Sequence, residues 1–466
     1  MKPTNCSRLL TNNGAADAPA ALLARTPIRI DDLLQNGQGV GRAGDLVTFV
    51  TGALPGERAR VAVDAIKKTY ASTHAVEILE RSPDRVESVC PVFPRCGGCQ
   101  TLHLRYAAQL EWKRGMVREA LARLGGLSVE VEPSVTAPLI EGTRYRNKVS
   151  LVAQVAPKHG TIGFYEARSH RIVPVSACPV VLPWLDAAIA SIVRFAAGTP
   201  AALLQLRHVV VRSGLAQATL VVCLCTAGRR PLLASCVADL RGAVRGLTGI
   251  VESYDPASAN AIFGCRTMTH WGSPETIEHV GATTFRFGIE SFFQINTAVL
   301  ERIAATLASD LQGARRVVDL YCGVGTFSVM LARNGAAVTG VESHPRSVEE
   351  AAVNAARNGA TTAAFECANV TDAVSGERGR TLLTGADAVI LDPPRRGCDA
   401  AVLRALAGAR VPRVEYLSCN PATLSRDARL LVDAGYSVAR VIPFDMFPFT
   451  GHVEVLAQFI GPRNGP

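Results

Sequence analysis

The stretch EYLSCNPATLSRD, residues 415–427, ends an apolar run on Cys419 and passes at once into Asn420-Pro421, a pair that opens helices. A thiol in that place is either a small residue filling a gap or a nucleophile presented at the edge of a sheet. ILDPPRRG ends another apolar run on Asp392, and PFTGHVEVLAQF puts His452 and Glu454 in a turn and at the start of a final strand, while PFDMF offers Asp445. A cysteine with carboxylates at strand ends can add sulfur to an electron-poor carbon and move a proton at the neighbouring one.

A second group of thiols stands in CPVFPRCGGCQ, where Cys90, Cys96 and Cys99 are spaced C-x5-C-x2-C. Thiolates this close repel one another unless a cation or cluster holds them, and the paired glycines let the backbone curl so that several sulfurs face one point. SACPVV supplies Cys178 as a fourth ligand. Structural zinc sites usually show two short C-x2-C knuckles, whereas one triple cluster plus a distant Cys-Pro follows ferredoxin-type spacing. An iron–sulfur cluster is therefore expected, with a four-cysteine zinc site and unliganded thiols as alternatives. Cys223 and Cys225 alternate with apolar residues in QATLVVCLCTA and read as core.

A third constellation is RRVVDLYCGVGTFSVMLARNGAAVTGVESHPRSVEEAAVNAARNG: a strand, a Gly-rich turn at Gly323 and Gly325, a helix, a second strand ending in Glu342, and another helix. This opens an α/β doubly wound sheet, whose ligands lie at the carboxyl ends of the strands, and Glu342 can accept from two ribose hydroxyls. The dinucleotide fingerprint asks for a third Gly where this chain has Ser328, and Asp319 before the turn repels phosphate. S-adenosylmethionine, a sulfonium and ammonium without phosphate, fits both departures better than a dinucleotide. Cys322, inside the turn, is a rival nucleophile to Cys419, but its backbone faces the cofactor and it reads as a packing residue.

The elements that must position these groups follow in order. Residues 1–25 read as a flexible Ala-rich tail. Residues 26–85 hold about five short strands parted by Gly-rich turns, an OB-like β-barrel with Val61 and Val63 on alternating positions and Arg58, Arg60, Lys67 and Lys68 as positive charge. GALPGERARVAV within it resembles the TRAM module. Residues 86–285 form a central α+β domain. Its helix, in LRYAAQLEWKRGMVREALARLGG, is expected to bury Leu110, Val117, Leu121 and Leu124 and to stop at Gly125-Gly126. Its strands interleave Arg144, Arg146, Lys148, Lys158, Arg168 and Arg171 with Tyr145, Phe164 and Tyr165, the mixture of phosphate-neutralising and base-stacking groups that single-stranded RNA requires; a solvated sheet with ordinary surface charge is the alternative. Residues 286–466 form the catalytic domain.

Composition narrows the function class. A net charge of +9 suits nucleic acid without requiring it, since soluble enzymes carry as much. No apolar run reaches the ~20 residues of a membrane span. Thirteen cysteines in a long chain whose first residues lack an apolar export core suggest a reducing compartment, so a cytoplasmic location is expected.

With a methyl donor beside Asp392, Cys419 acquires a specific use. Pyrimidine C5 is a poor nucleophile; a thiolate adding to C6 makes the ring an enolate whose C5 can take a methyl, after which a base must remove the C5 proton. Arg395, where amino-group methyltransferases place an aromatic residue after Asp-Pro-Pro, counts against methylation of an amino group.

SCNPATLSRD, FPFTGHVE, DLYCGVGTF, SFFQIN and LDPPRRG, together with the clustered cysteines, resemble the RNA uracil-C5 methyltransferase family over nearly the whole chain after residue 26. The chain looks most like the branch that modifies 23S ribosomal RNA, with tRNA uracil and RNA cytosine-C5 methylation as alternatives. The resemblance implies a class I methyltransferase sheet using S-adenosylmethionine. Cys419 would be the nucleophile and Glu454 the base that removes the C5 proton. Cofactor contacts would come from Gln294, Tyr321, Thr326, Glu342, Asn369 and Asp392, although Gln294 can instead cap the helix starting near Thr297. Cys90, Cys96, Cys99 and Cys178 would hold a [4Fe-4S] cluster. RNA is the implied partner, and no obligate protein partner is evident.

Overall fold

Short alternating runs parted by glycine cannot bury a face alone, and the first of them close on themselves. The computed structural model describes residues 23, 25–137, 142–156, 159–198, 203, 205–216, 219–228, 234–255 and 261–462. All of the tail expected at 1–25 except Leu23 and Arg25 lies outside these, as does Lys158. The chain divides into two compact units, one of Met1–Ser88, Cys99–Ala108 and Phe449–Gly451, the other of Val89–Gly98, Gln109–Pro448 and His452–Pro466.

In the first unit, β1 (Ile28–Leu33), β2 (Gln38–Ala43), β3 (Leu46–Thr51), β4 (Arg58–Ile66) and β5 (Tyr70–Glu80) form a closed barrel in the order β1-β2-β3-β5-β4. β3 and β5 run parallel, and β1 closes on β4 through the Ile28–Ala59 pair. This is the OB-like barrel expected from the sequence. Ile28, Ile30, Val50, Ala59, Val61 and Ala71 fill it. Gly41 is required where β2 crosses β1, because a Cβ there would stand 2.1 Å from the Arg29 carbonyl oxygen. Val63 is 37% exposed, unlike Val61, although both lie in β4 in continuous register with β5.

In the second unit a long helix, α1 (Tyr106–Gly125), has its last seventeen residues here and buries Gln109, Lys113, Val117 and Leu121. The expected stripe is thus rotated: Leu124 is 62% exposed, because the i, i+4 ladder through Lys113 faces inward and carries that ammonium to a buried carboxylate. Gly126, at φ +62°, ends the helix as expected.

A seven-stranded sheet follows, built from β6 (Lys148–Ala156), β7 (His159–Tyr165), β8 (Ile172–Pro174), β9 (Leu206–Ser213), β10 (Leu220–Thr226), β11 (Gly249–Tyr254) and β12 (Arg266–Gly272), in the order β12-β11-β10-β9-β6-β7-β8. The helices α2 (Pro183–Gly198) and α3 (Ala234–Ala243) accompany it, with Leu185, Ile189 and Ile192 packed against Leu151, Val209, Val211 and Val222. Cys223 and Cys225 are buried in β10, as expected. A hairpin, β13 (Glu275–Val280) and β14 (Thr283–Gly288), leads onward.

The remaining elements are α4 (Thr297–Asp310), β15 (Arg316–Leu320), α5 (Thr326–Arg333), β16 (Ala337–Glu342), α6 (Pro345–Arg357), β17 (Ala363–Cys367), α7 (Val370–Ala373), α8 (Gly376–Leu383), β18 (Ala388–Leu391), α9 (Ala400–Gly408), β19 (Arg413–Ser418), α10 (Pro421–Asp433), β20 (Ser437–Phe444) and β21 (Glu454–Ile460). Their sheet has the order β17-β16-β15-β18-β19-β21-β20, parallel from β17 through β19, with β21 antiparallel to both its neighbours. Apolar cores cover both faces, one with Leu320, Leu391 and Tyr416, the other with Val317, Ile390 and Leu417, which is why the central strands read as continuous apolar runs. The chain reverses its winding at β15, and the crevice at that switch point is where doubly wound sheets bind ligands.

Candidate active site

Three residues in left-handed conformation turn β15 into α5: Tyr321 at φ +68°, Gly323 at +55° and Gly325 at +80°. Among the described residues, no heavy atom outside the immediate neighbours lies within 4 Å of where a Cβ at Gly323 would stand, so the backbone there offers an open edge to a ligand. The amides of Tyr321 and Cys322 both donate to the Val341 carbonyl, at 2.9 and 3.1 Å, tying the turn to the end of β16. There Glu342 accepts from Gly323 N at 3.2 Å, Ser343 Oγ at 3.1 Å and His344 N at 2.8 Å. Cys322 is buried beside Gly340, where a Cβ would stand 2.8 Å from its sulfur, in keeping with a packing role.

Asp319 is fully buried below the turn. One oxygen accepts from Ser328 Oγ at 2.6 Å; the other has no hydrogen-bond partner among the described residues. Burial pushes its carboxyl up to about 7. Asp392 follows β18, and burial with Asp319 nearby pushes it to about 7 as well. Thr326 is the first residue of α5. Asn369 caps α7, its side-chain oxygen accepting from Thr371 N at 2.9 Å, and the preceding amide, Ala368 N, donates to the Glu342 carbonyl at 2.9 Å.

Gln294 lies in the loop before α4. That helix is capped by Asn296, whose oxygen accepts from Val299 N, so Gln294 is not the cap. Arg212, wholly buried in β9, donates to the carbonyls of Ser291 and Phe293 at 2.7 and 3.1 Å. Asn147 donates to the Gln294 carbonyl at 3.1 Å. Two residues far back in the chain thus fix this loop, and neither was recognisable from sequence spacing. The loop also holds Phe292, 70% exposed, an aromatic face that sequence reasoning passed over within SFFQIN.

The DPPRRG loop is fastened to the start of α10. The Arg395 carbonyl accepts from Asn420 Nδ2 at 3.1 Å and from Thr423 Oγ1 at 3.4 Å, and Arg426 donates to the carbonyls of Arg396 and Cys398. Buried Asp427 accepts from Cys398 N at 2.8 Å and Tyr416 Oη at 2.6 Å. Asn420 also caps α10 and Pro421 is its first residue, as the sequence suggests.

Cys419 immediately follows β19, and Glu454 opens β21. The last pair between those strands is Ser418 with Val455, so Cys419, just past the end of β19, and Glu454, the first residue of β21, lie at the same end of the sheet. Glu454 is only 2% exposed. Burial, with Asp392 adding, holds its carboxyl well above the usual range, and Arg395 opposes. Burial, Glu454 and Asp392 push the Cys419 thiol up to about 11, and again Arg395 opposes. His452 packs edge-on to Phe447, and burial keeps its imidazole toward the neutral form, helped by Arg395, Lys113 and Arg146. Asp445 is buried in an ion pair with Lys113 at 2.5 Å, which withdraws it from the candidates for a base.

Of the cluster cysteines, Cys90, Cys96 and Cys178 share one unit. Burial first, then the charge of the other two thiols, pushes Cys178 up to about 11, which places the three sulfurs within electrostatic reach of one another. Cys99 belongs to the other unit. Among the described residues no group of three or more Cys, His, Asp or Glu side chains is arranged to hold a metal ion. The aromatic part of the basic–aromatic strip is more internal than expected: Tyr145 is 2% exposed and Phe164 packs on the central core, while Arg144 pairs with Asp186 and the exposed Arg171 with Glu166. Tyr165 alone of the three aromatics is exposed, because strand alternation turns it away from Phe164. Among the described residues no helix is long and apolar enough to cross a membrane.

The residues at the strand ends fit S-adenosylmethionine: an open glycine edge, an unsatisfied buried carboxylate oxygen at Asp319, and Glu342 and Asp392 as acceptors without a cationic phosphate cradle. Comparison with known proteins agrees. A family model described as tRNA (Uracil-5-)-methyltransferase matches residues 278–458, and a TRAM domain model matches 24–76. The chain is 36% identical over 450 residues to an uncharacterized RNA methyltransferase of Halalkalibacterium halodurans, covering 92% of this chain and 95% of that one. It is 38% identical over 450 residues to another from Thermosynechococcus vestitus, covering 93% and 97%. Among solved structures, the Pyrococcus abyssi tRNA (uracil-54, C5)-methyltransferase in complex with S-adenosyl-L-homocysteine matches with a TM-score of 0.73 and 27% identity, over 93% of this chain and all of that one.

Proposed function

We propose, given that the chain belongs to the RNA uracil-C5 methyltransferase family and is an S-adenosylmethionine-dependent RNA methyltransferase, that it methylates C5 of a uridine in 23S ribosomal RNA through Cys419 and Glu454. The observation that carries this reading is the placement of that thiol and that carboxyl at the same end of the β19–β21 pair, one strand from Asp392.

When bound, S-adenosylmethionine supplies an electrophilic methyl group; Gln294, Tyr321, Thr326, Glu342, Asn369 and Asp392 are the residues to hold it. The Cys419 thiol gives up its proton to solvent, the thiolate sulfur forms a bond to C6 of uracil, and the displaced π pair moves toward C5 and O4, making C5 nucleophilic. Once C5 carries the methyl group, Glu454 takes its remaining proton, the C5–C6 double bond re-forms and the Cys419–C6 bond breaks. Phe292 offers a face on which a base can stack. Assaying labelled methyl transfer to uracil- and cytosine-containing RNA tests the assignment, and product on cytosine alone would overturn it.

The ribosomal substrate follows from the sequence resemblance. The tRNA reading is favoured by one observation, the full-length match to a tRNA (uracil-54, C5)-methyltransferase. Mapping methylated uridines in ribosomal and transfer RNA from cells lacking the protein separates the two.

Cys90, Cys96, Cys99 and Cys178 are proposed to hold a [4Fe-4S] cluster with a structural role, since thiolate-assisted methyl transfer needs no electron. The C-x5-C-x2-C spacing with Cys178 as a fourth thiol supports this. Anaerobic purification with iron analysis and absorbance tests it; a colourless protein with stoichiometric zinc would refute it.

A further inference from the structure

Residues 291–296 belong to no helix or strand, yet four of their carbonyls are held from the central sheet. Arg212, in β9, donates from Nη1 to the Ser291 carbonyl at 2.7 Å and from Nη2 to the Phe293 carbonyl at 3.1 Å. Its guanidinium lies 4.4 Å from the centre of the Phe287 ring, and that ring stacks on Phe293 at 4.4 Å with 13° between the planes. Arg212 thus grips the backbone on both sides of Phe292 and the aromatic stack to which Phe293 belongs, while Phe292 itself stays 70% exposed. Asn147, just before β6, carries on where the arginine stops: Nδ2 donates to the Gln294 carbonyl at 3.1 Å and its backbone N to the Ile295 carbonyl at 2.9 Å. The two clamps are neighbours in the sheet, because Arg212 pairs with Lys148 and Ser213 N donates to the Asn147 carbonyl.

Packing alone does not call for an arginine at this position. The side chain is fully buried, and among the described residues it has no ion-pair partner and its Nε has no hydrogen bond. Burying a charge in that way is unfavourable, and an apolar side chain of similar volume would fill the core with a smaller penalty. What an apolar side chain or a lysine does not supply is a planar fork that reaches two carbonyls at once while lying flat on a ring. We propose that Arg212 is a positioning residue of the reaction, holding residues 291–296 in the conformation that offers Gln294 to S-adenosylmethionine and Phe292 to a base of the RNA. This rests on the reading of Gln294 as a cofactor contact and of Phe292 as a stacking face. One buried cation in the central sheet then prepares both binding sites, and the loop is ordered by the fold rather than at the expense of binding.

Two measurements on the full-length protein test this, one of them without any ligand. Chymotrypsin cuts after a phenylalanine only where the chain can leave its place, so cutting after Phe292, mapped by mass spectrometry, reports how firmly the loop is held. In Arg212→Met, apolar and of comparable reach, cutting after Phe292 should be about tenfold faster than in wild type, with other sites unchanged. Affinity for S-adenosylhomocysteine, read by calorimetry, should fall about tenfold as well, and Arg212→Lys should recover only part of both. Added to Gln294→Ala, Arg212→Met should weaken S-adenosylhomocysteine binding no further than Gln294→Ala does alone, a non-additivity that general loosening of the fold would not produce. If Arg212→Met speeds cutting at every site, Arg212→Lys replaces it and is read in the same way. Cutting after Phe292 within twofold of wild type would overturn the proposal, and so would a loosened loop that binds S-adenosylhomocysteine as tightly as wild type does. Wild-type affinity in Gln294→Ala would instead overturn the reading of Gln294 as a cofactor contact, and because the cutting measurement uses no ligand, the two failures are separable.

Discussion

Cys419 and Glu454 lie at the same end of an antiparallel strand pair, each one residue beyond the Ser418–Val455 pair, although thirty-five positions separate them in sequence. The pairing of β19 with β21 brings the two ends together, and a rigid sheet gives a reacting pair the precision that proton transfer at C5 requires.

If the sulfur forms the bond to C6, Cys419→Ala should lower methyl transfer by about 10³-fold or more, with the fold intact. Labelled methyl incorporation into RNA, beside circular dichroism, measures this. Undiminished transfer would remove Cys419 from the chemistry.

Glu454→Gln should slow release rather than attack. Without a base, the methylated adduct keeps its sulfur–carbon bond, so a protein–RNA species should survive on a denaturing gel. Turnover equal to wild type would exclude Glu454 as the base.

The pH dependence has a definite sign. Both Cys419, pushed to about 11, and Glu454, held well above the usual carboxyl range, must lose a proton to act. The kcat/KM for RNA should accordingly rise with pH from 7 to 9, by up to about tenfold per unit where a single ionisation limits. A flat profile over that interval would mean that the thiolate is already formed in the free enzyme.

Much of this site was legible in the chain because its residues lie at strand ends next to turn signals: Asp319 and Gly323 after one apolar run, Asp392 after another, Cys419 before Asn-Pro. Such signals are local, and local rules predict them. What escaped was long-range. Arg212 and Asn147 look like strand residues of a basic surface, yet they turn inward to hold the Gln294 loop from about eighty to a hundred and fifty positions away. Tyr145 was read as a stacking face, but its hydroxyl donates to the Pro448 carbonyl from inside the fold. Lys113 looked like the solvent side of an amphipathic helix because its partner, Asp445, lies over three hundred residues on. No periodicity within the helix can report such a partner.

Asp319 and Asp392 give the cofactor pocket a measurable charge signature. Each is raised to about 7, so its protonated form favours the folded state; that contribution is complete below the ordinary carboxyl value and is lost as pH rises through 7. A cationic ligand offsets the loss and a neutral one does not. The rise in melting temperature with S-adenosylmethionine should therefore exceed that with S-adenosylhomocysteine by more at pH 8 than at pH 5.5. Differences independent of pH would show that neither carboxyl faces the sulfonium.

The Lys113–Asp445 pair makes a last prediction about how the segment leading to Glu454 is held. Both side chains are fully buried, the ammonium also donates to the Phe447 carbonyl at 2.9 Å, and Asp445 N donates to the Val135 carbonyl. Removing one partner strands the other charge in the interior, a loss of about 3–5 kcal/mol, whereas replacing both with apolar groups of similar volume costs much less. Lys113→Met and Asp445→Leu should each lower stability in urea unfolding by that amount, and the double variant should recover most of it. Additive losses in the double variant would mean that the two side chains stabilise the fold independently, through packing rather than through their charges.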